Sequence, residues 1–279
     1  MKDSTDQTIA PFEQDPPRAT SFIVTLYGDL VEPRGGTIWM GSVIDICAAV
    51  GLTETHVRTS VSRLVANGQL EGMKVGRRSY YRLTDPAQQD FASAARTIYA
   101  PPVEPATSWI WVMAPTGLAD ALRHRGFATV GPDIHLGPDC DLSGLAVTAT
   151  WRCPIAEGAL QSVVRKYWDI DAAAQVWTDF IHMFGRKDFA SLDPEECLIQ
   201  RLMLVHHFRF ALRSDPNLPI DAVGPNWPGL AARRLFAEIY CGLSQRADQA
   251  TSSMLVRLEG PVPQETDATI ARLRALCPL

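Results

Sequence analysis

The sequence predicts an α+β protein in three parts: an N-terminal winged helix-turn-helix, a central ferredoxin-like α+β domain and a C-terminal helical domain. Three observations carry that expectation. Between Thr20 and Thr84, helical spacing of apolar residues gives way to a short strand, two more helices and a basic hairpin. After a proline-rich break, the pattern becomes strand, helix, strand, strand, strand. Beyond Pro154 the remaining periodicity is helical.

The boundaries follow from the same patterns. Residues 1–19 read as a flexible tail, because Pro11, Pro16 and Pro17 break helices and few apolar side chains are present to offset ordering entropy. Residues 20–99 form the winged-helix domain, and the prolines 101, 102 and 105 mark the break after it. Residues 107–153 make the central domain and 154–279 the helical one. At 279 residues and 46% hydrophobic, the chain can bury more than one core.

Within the first domain, Phe22, Ile23, Leu26, Tyr27 and Leu30 recur at helical spacing, with Thr20 or Ser21 able to cap. Pro33 to Gly36 turns the chain, and Ile38 to Met40 suits a strand. Ser42 to Val50 is a second helix, with Gly51 placed for a left-handed cap. Thr53 caps a third helix that runs to Asn67 and ends at Gly68. Leu70 to Val75 and Ser79 to Leu83 flank a turn at Gly76-Arg77, and Thr84 caps a helix reaching Tyr99.

In the second domain, strands are expected at Trp109 to Met113, Phe127 to Val130, Ile134 to Leu136 and Leu145 to Trp151, with a helix from Thr116 to Arg125. Helices follow at Leu160 to Trp168, Ala172 to Phe184, Pro194 to Leu212 and Leu230 to Ser244. Ser214 to Pro228, with four prolines, reads as an ordered loop.

The third helix carries the chemistry. On a helical wheel Val57, Val61, Leu64 and Val65 share one face, and Thr55, His56, Thr59, Ser62, Arg63 and Ala66 lie opposite. Short hydroxyl side chains permit close approach to a major groove, where Arg and His can donate to guanine acceptors, so Thr55, His56, Thr59, Ser62 and Arg63 are the candidates for base readout. Arg58, at the flank, suits a phosphate contact. Lys74, Arg77 and Arg78 at the hairpin tip, with Tyr80 on its return strand, suit the sugar-phosphate backbone. Charge distribution agrees: His56 to Arg82 holds six basic residues against Glu71, a local +5 on a chain of net −5, which leaves −10 elsewhere. Double-stranded operator DNA is the expected partner.

The same residues carry a family resemblance. Thr25 to Asp29, Arg34-Gly35-Gly36, Val57 to Leu64 and Val75 to Thr84 resemble the PaaX family, repressors of phenylacetic acid catabolism. Gly126-Phe127, Trp168-Asp169-Ile170, Leu218-Pro219 and Asn226 to Gly229 resemble its later landmarks. The resemblance implies a homodimer on a palindromic operator and release by a small effector, an aryl-CoA thioester, with effector binding and dimerisation in the later domains.

Arg165, Trp168, His206, His207 and Arg209 are the candidates for holding an anionic, aromatic effector, since forked Arg donors recognise carboxylate and phosphate. Core packing explains the tryptophans and histidines equally well. Six widely spaced cysteines, with no metal-ligand spacing, read as reduced thiols of a cytoplasmic protein. No metal, no cofactor and no catalytic residue is expected, for no Gly-rich phosphate loop, G-x-S-x-G elbow or H-E-x-x-H motif is present. No apolar run matches a signal peptide or a membrane span. Two other readings stay open: an acyl-CoA-processing enzyme with a fused winged helix, and a winged helix used as a protein-docking module.

Overall fold

The computed structural model describes residues 16–100, 108–152 and 159–277. The expected tail as far as residue 15, the prolines of the break and Cys153 lie outside the described residues. The chain divides into two compact units, one of residues 1–101, 184–209 and 235–279, the other of residues 102–183 and 210–234. The expected division at 153/154 does not coincide with these units, because the helical stretch after 154 supplies segments to both.

In the first unit, α1 (Ala19–Leu26) buries Phe22, Ile23 and Leu26 completely, as its spacing requires. Its continuation, Tyr27–Val31, is a wider π-type turn in which Glu32 N–H donates to the Tyr27 carbonyl at 2.8 Å. Such turns insert a residue into the helical ladder. Here the turn buries Tyr27, Leu30, Val31 and also the carboxylate of Asp29.

A two-residue strand β1 (Ile38–Trp39) leads into α2 (Met40–Ala48), two residues earlier than the apolar spacing indicates. Next comes α3 (Glu54–Ala66), capped by Thr53, whose Oγ1 accepts from the His56 N–H at 3.4 Å. Gly51 and Gly68 after these helices take φ of +80° and +70°, the left-handed conformation that a side chain disfavours. The strands β2 (Leu70–Val75) and β3 (Arg78–Leu83) pair antiparallel, with Val75 opposite Arg78 across a two-residue turn. The sheet order is β1-β3-β2. α4 (Asp85–Ile98) follows, its cap Thr84 accepting from the Ala87 N–H.

The outer edge of β1 is also paired, a feature the sequence did not predict. Trp39 N–H donates to the Val256 carbonyl at 2.9 Å and Leu258 N–H to the Thr37 carbonyl at 3.0 Å. The stretch around Arg257 thereby lies antiparallel along β1 and covers an edge that would otherwise expose unpaired groups.

In the second unit, β4 (Trp109–Met113), β5 (Ala128–Gly131), β6 (Ile134–Pro138) and β7 (Ala149–Arg152) form an antiparallel sheet in the order β5-β6-β4-β7. A 3₁₀ turn, Thr116–Leu118, precedes α5 (Ala119–Arg123), which links β4 to β5. Ile110, Val112, Leu122 and Phe127 form the core beneath it. The 139–148 connection from β6 to β7 carries no helix. α6 (Leu160–Tyr167) packs through Val164 with Ile170 and with Ala222 of α9 (Ile220–Val223), a turn of helix inside the expected loop.

The remaining helices are α7 (Ile170–Phe184), α8 (Pro194–Ser214), α10 (Pro228–Met254) and α11 (Asp267–Leu276). α10 extends ten residues beyond the Ser244 end read from periodicity, and α11 was not predicted. The cysteine reading is corrected at one pair. Cys241 and Cys277 form a disulfide, their Cα atoms 6.5 Å apart, because α11 returns its last turn to α10 across 36 residues that carry no spacing signal. Cys47 and Cys197 are buried thiols and Cys140 is exposed. Burial pushes the Cys47 thiol up to about 12.

Candidate nucleic-acid interface

The third helix sorts its residues nearly as the wheel predicts. Val57, Val61 and Leu64 are buried, against α1 and α2, and Thr55, His56, Arg58, Thr59, Ser62 and Arg63 are exposed. Two positions differ. Val65 is 38% exposed and Ser60 is 5% exposed, so the buried stripe is rotated toward Ser60. A small hydroxyl lets α3 approach its neighbours where a valine would hold it off.

The outward face combines a capped helix N-terminus with short polar side chains and two arginines, Arg58 and Arg63. Thr53 caps the start of the helix at Glu54, and Arg58 Nε is 2.7 Å from Glu54 Oε1, an exposed i,i+4 pair. Arg58 therefore already has a carboxylate partner, and a phosphate must displace it. No ion-pair partner accompanies Arg63, Lys74 or Arg77 among the described residues. These three are the cations most ready to meet a polyanion.

The hairpin presents Lys74, Arg77 and Arg78 as exposed side chains, with Met73 and Val75 also exposed at 45% and 47%. Arg78 lies over the Trp39 ring, 4.6 Å from its centroid, which fixes the guanidinium against the sheet. Arg82 pairs with Glu71 at 2.5 Å. Counting Glu54 and Glu71 against the six bases leaves +4 over residues 54–82, not the +5 of the shorter window.

Tyr80 is corrected. It was expected among the backbone contacts, but it is 6% exposed and sits opposite Trp39 in the sheet, on the face turned to the core. Strand alternation alone does not decide this, since Arg78 and Tyr80 share parity: Arg78 is at the exposed hairpin tip, and Tyr80 lies where β1 pairs with β3.

The effector candidates fall in both units. Arg165 is exposed, while Trp168 donates its Nε1–H to the Gly126 carbonyl at 3.1 Å and meets Trp109 edge to face at 5.8 Å, all within the second unit. His206, His207 and Arg209 lie on α8 in the first unit. Arg209 Nη1 donates to Thr25 Oγ1 at 2.6 Å, and His206 Nδ1 is 3.1 Å from the same oxygen. Burial, with His207 and Arg209 beside it, pushes His206 down to about 4, so it is neutral at pH 7. Among the described residues no three His, Cys, Asp or Glu side chains are grouped to hold a metal ion.

Residues 18–87 match the model of the PaaX-like protein family, and residues 168–253 match the model of the PaaX-like protein C-terminal domain. The chain belongs to the PaaX family of transcriptional repressors. It is 29% identical over 254 residues to the transcriptional repressor PaaX of Escherichia coli strain K12, covering 81% of this chain and 80% of that one. Its family is one of repressors, not enzymes. An uncharacterized protein of Mycobacterium tuberculosis shares the fold, with a TM-score of 0.52 and 19% identity over 84% of this chain and 99% of that structure. Among the described residues no helix is long and apolar enough to cross a membrane.

Proposed function

We propose that residues 20–84 act as a winged helix-turn-helix that reads operator DNA, with α3 in the major groove and the β2–β3 hairpin as the wing. The observation that carries this reading is the sorting of α3: a buried apolar stripe opposite an exposed face of Thr55, His56, Thr59, Ser62 and Arg63, followed by an exposed basic hairpin. Thr55, His56, Thr59, Ser62 and Arg63 read base edges. Arg58, Lys74, Arg77 and Arg78 hold phosphates.

The later residues, in this reading, pair two copies on a palindromic operator and bind a small aromatic or acyl-CoA ligand that releases the DNA, the whole acting in the cytoplasm. Pairing is needed because four net cations on one reader give weak binding in physiological salt. The order β5-β6-β4-β7 supports a ferredoxin-like second unit in which one crossover has no helix. Release is a population shift, so the ligand must favour the geometry that does not fit DNA.

A mobility-shift assay on the promoter upstream of the chain's own gene tests the reading, repeated over a salt series and with a panel of acyl-CoA thioesters and the matching free acids. A salt-sensitive shift, lost with one compound, is expected. Partner-protein binding that is indifferent to salt, with no DNA affinity, would replace it with the docking-module reading.

A further inference from the structure

α4 is a strongly amphipathic helix whose apolar side is left open. Of its 14 residues only Ala87 is fully buried, while Phe91, Ala95 and Ile98 are half-buried. Beneath them, within the first unit, lies a cavity of about 170 Å³ between α4, α1 and α8. Val24, Val205, Asp29 and Tyr99 are also among its lining residues.

We propose that this cavity is a binding site for a small carboxylic acid whose apolar body is the size of a single ring, with the carboxylate held by Arg209. The volume sets the part that enters: an apolar cavity of about 150 Å³ is known to admit benzene, so a body of about one ring fills the space between the helices. The lining sets its polarity, since valine, alanine, isoleucine and aromatic side chains dominate and ligand sites add to such walls only a few placed polar groups. Arg209 is that group. It is half-buried on the wall and oriented by Thr25, and a guanidinium fork matches a carboxylate.

The carboxylates nearby do not reverse this preference. Asp29 is already matched by Arg201 and two phenol hydroxyls, and Asp90 is exposed at the rim, where water screens it. The site also adjoins the reader. Val24, Thr25 and Gly28 lie on or just after the helix that packs against α3, so an occupant bears directly on that helix. As a regulatory site it rests on the effector reading above; as a binding site it does not.

Calorimetric titration of the full chain with benzoate, cyclohexanecarboxylate and toluene tests it, with Ala95→Phe to fill the cavity and Arg209→Met to remove the cation. Both acids should bind saturably. Ala95→Phe should weaken both at least tenfold, and Arg209→Met should weaken the acids tenfold while leaving toluene unchanged. Melting transitions report whether each variant folds, and Arg209→Met carries the test if Ala95→Phe does not. No saturable binding by the parent chain, or equal binding by a folded Ala95→Phe, overturns the site. Mobility shifts run in parallel separate the two ideas. Acid binding without operator release leaves the site standing and removes its regulatory role. Release by a thioester from parent and Ala95→Phe alike removes the regulatory role of the site and leaves the effector reading.

Discussion

Asp29, in the π-type turn after the first helix, and Arg201 of α8 are 172 positions apart in the chain, yet they form an ion pair at 3.0 Å with side chains 0% and 1% exposed. The pair is part of a closed network. Asp29 Oδ1 accepts from the Tyr99 and Tyr240 hydroxyls at 2.7 and 2.9 Å, Arg201 reaches Asp248 at 2.7 Å, and Arg34 donates to the same oxygen of Asp248 at 2.6 Å. Two acids face two bases, so the charge is matched. Tyr99 directly after α4, Arg201 of α8, and Tyr240 and Asp248 of α10 thus meet the turn that follows α1.

Removing one member should therefore be costly. Breaking a buried pair costs about 3–5 kcal/mol, because the surviving charge keeps its desolvation penalty. Asp29→Asn and Arg201→Met are each expected to lower urea-denaturation stability by about that much. The double variant should lose less than the sum, since neither charge is then stranded. Additive losses would show that the two residues do not act as a pair.

Acid should unfold the first unit in an order that the same groups set. Burial alone would raise the Asp29 carboxyl, but Arg201, Arg272 and the two phenols hold it below the usual carboxylate range. Its folded pKa being depressed, its contribution is complete above the unfolded value of about 4 and is lost as pH falls toward the folded one. His206 is also depressed, to about 4, and its neutral form is the one that folding favours. That contribution is complete above about pH 6.5 and declines between there and pH 4. Melting temperature should thus fall in two stages. His206→Gln should flatten the upper stage only, and an unchanged upper stage would assign it to another group.

If residues 20–84 read DNA as proposed, their variants should separate by what each residue touches. Arg63→Ala should relax sequence preference by roughly 1–3 kcal/mol at one base pair. Arg77→Ala should weaken all DNA about equally and reduce the salt slope by about one unit. Arg58→Ala should do less than Arg77→Ala, because Arg58 must first leave Glu54, an exposed pair contributing about 0.3–0.5 kcal/mol. Tyr80→Ala should cost about 3–5 kcal/mol of stability, as a buried aromatic does. Footprints and denaturation of the four variants check the set. An Arg58→Ala effect equal to that of Arg77→Ala would mean that the Glu54 pair does not compete.

Much of the structure between α1 and α4 was legible because local rules govern it. Thr53 and Thr84 announce their caps, Gly51 and Gly68 their helix ends, and the strands flanking Gly76-Arg77 their turn, each within a few residues of sequence. Tyr80 was misplaced because strand parity gives a face but not how far the sheet is covered. The long-range features left no local trace. Asp29 reads as an ordinary acid in a turn, and Arg201 as a solvated helix base, until α8 is brought against α1. The pairing of residues 256–258 with β1 is equally silent, since Leu255 to Leu258 shows no alternation that names its partner. The open side of α4 is visible as amphipathicity, but only packing shows that nothing among the described residues fills it.

The disulfide offers the last test, because α11 is held in other ways as well. Arg272 donates to the Asp29 and Gly28 carbonyls and pairs with Glu32. Thr266 caps the helix in a reciprocal arrangement with Thr269 and donates to the Pro33 carbonyl at 2.8 Å, and Arg34 donates to the Gln264 carbonyl at 2.9 Å. Closing a loop of this length contributes about 3–4 kcal/mol through the unfolded chain. Cys277→Ser should accordingly lower the melting temperature by several degrees while leaving far-ultraviolet helical signal at 25 °C intact, since the Arg272 contacts still dock the helix. Loss of helical signal at that temperature would show that the cross-link positions α11 rather than limiting the unfolded state. Reduction of the parent chain should reproduce the variant, and reduction of Cys277→Ser should add nothing.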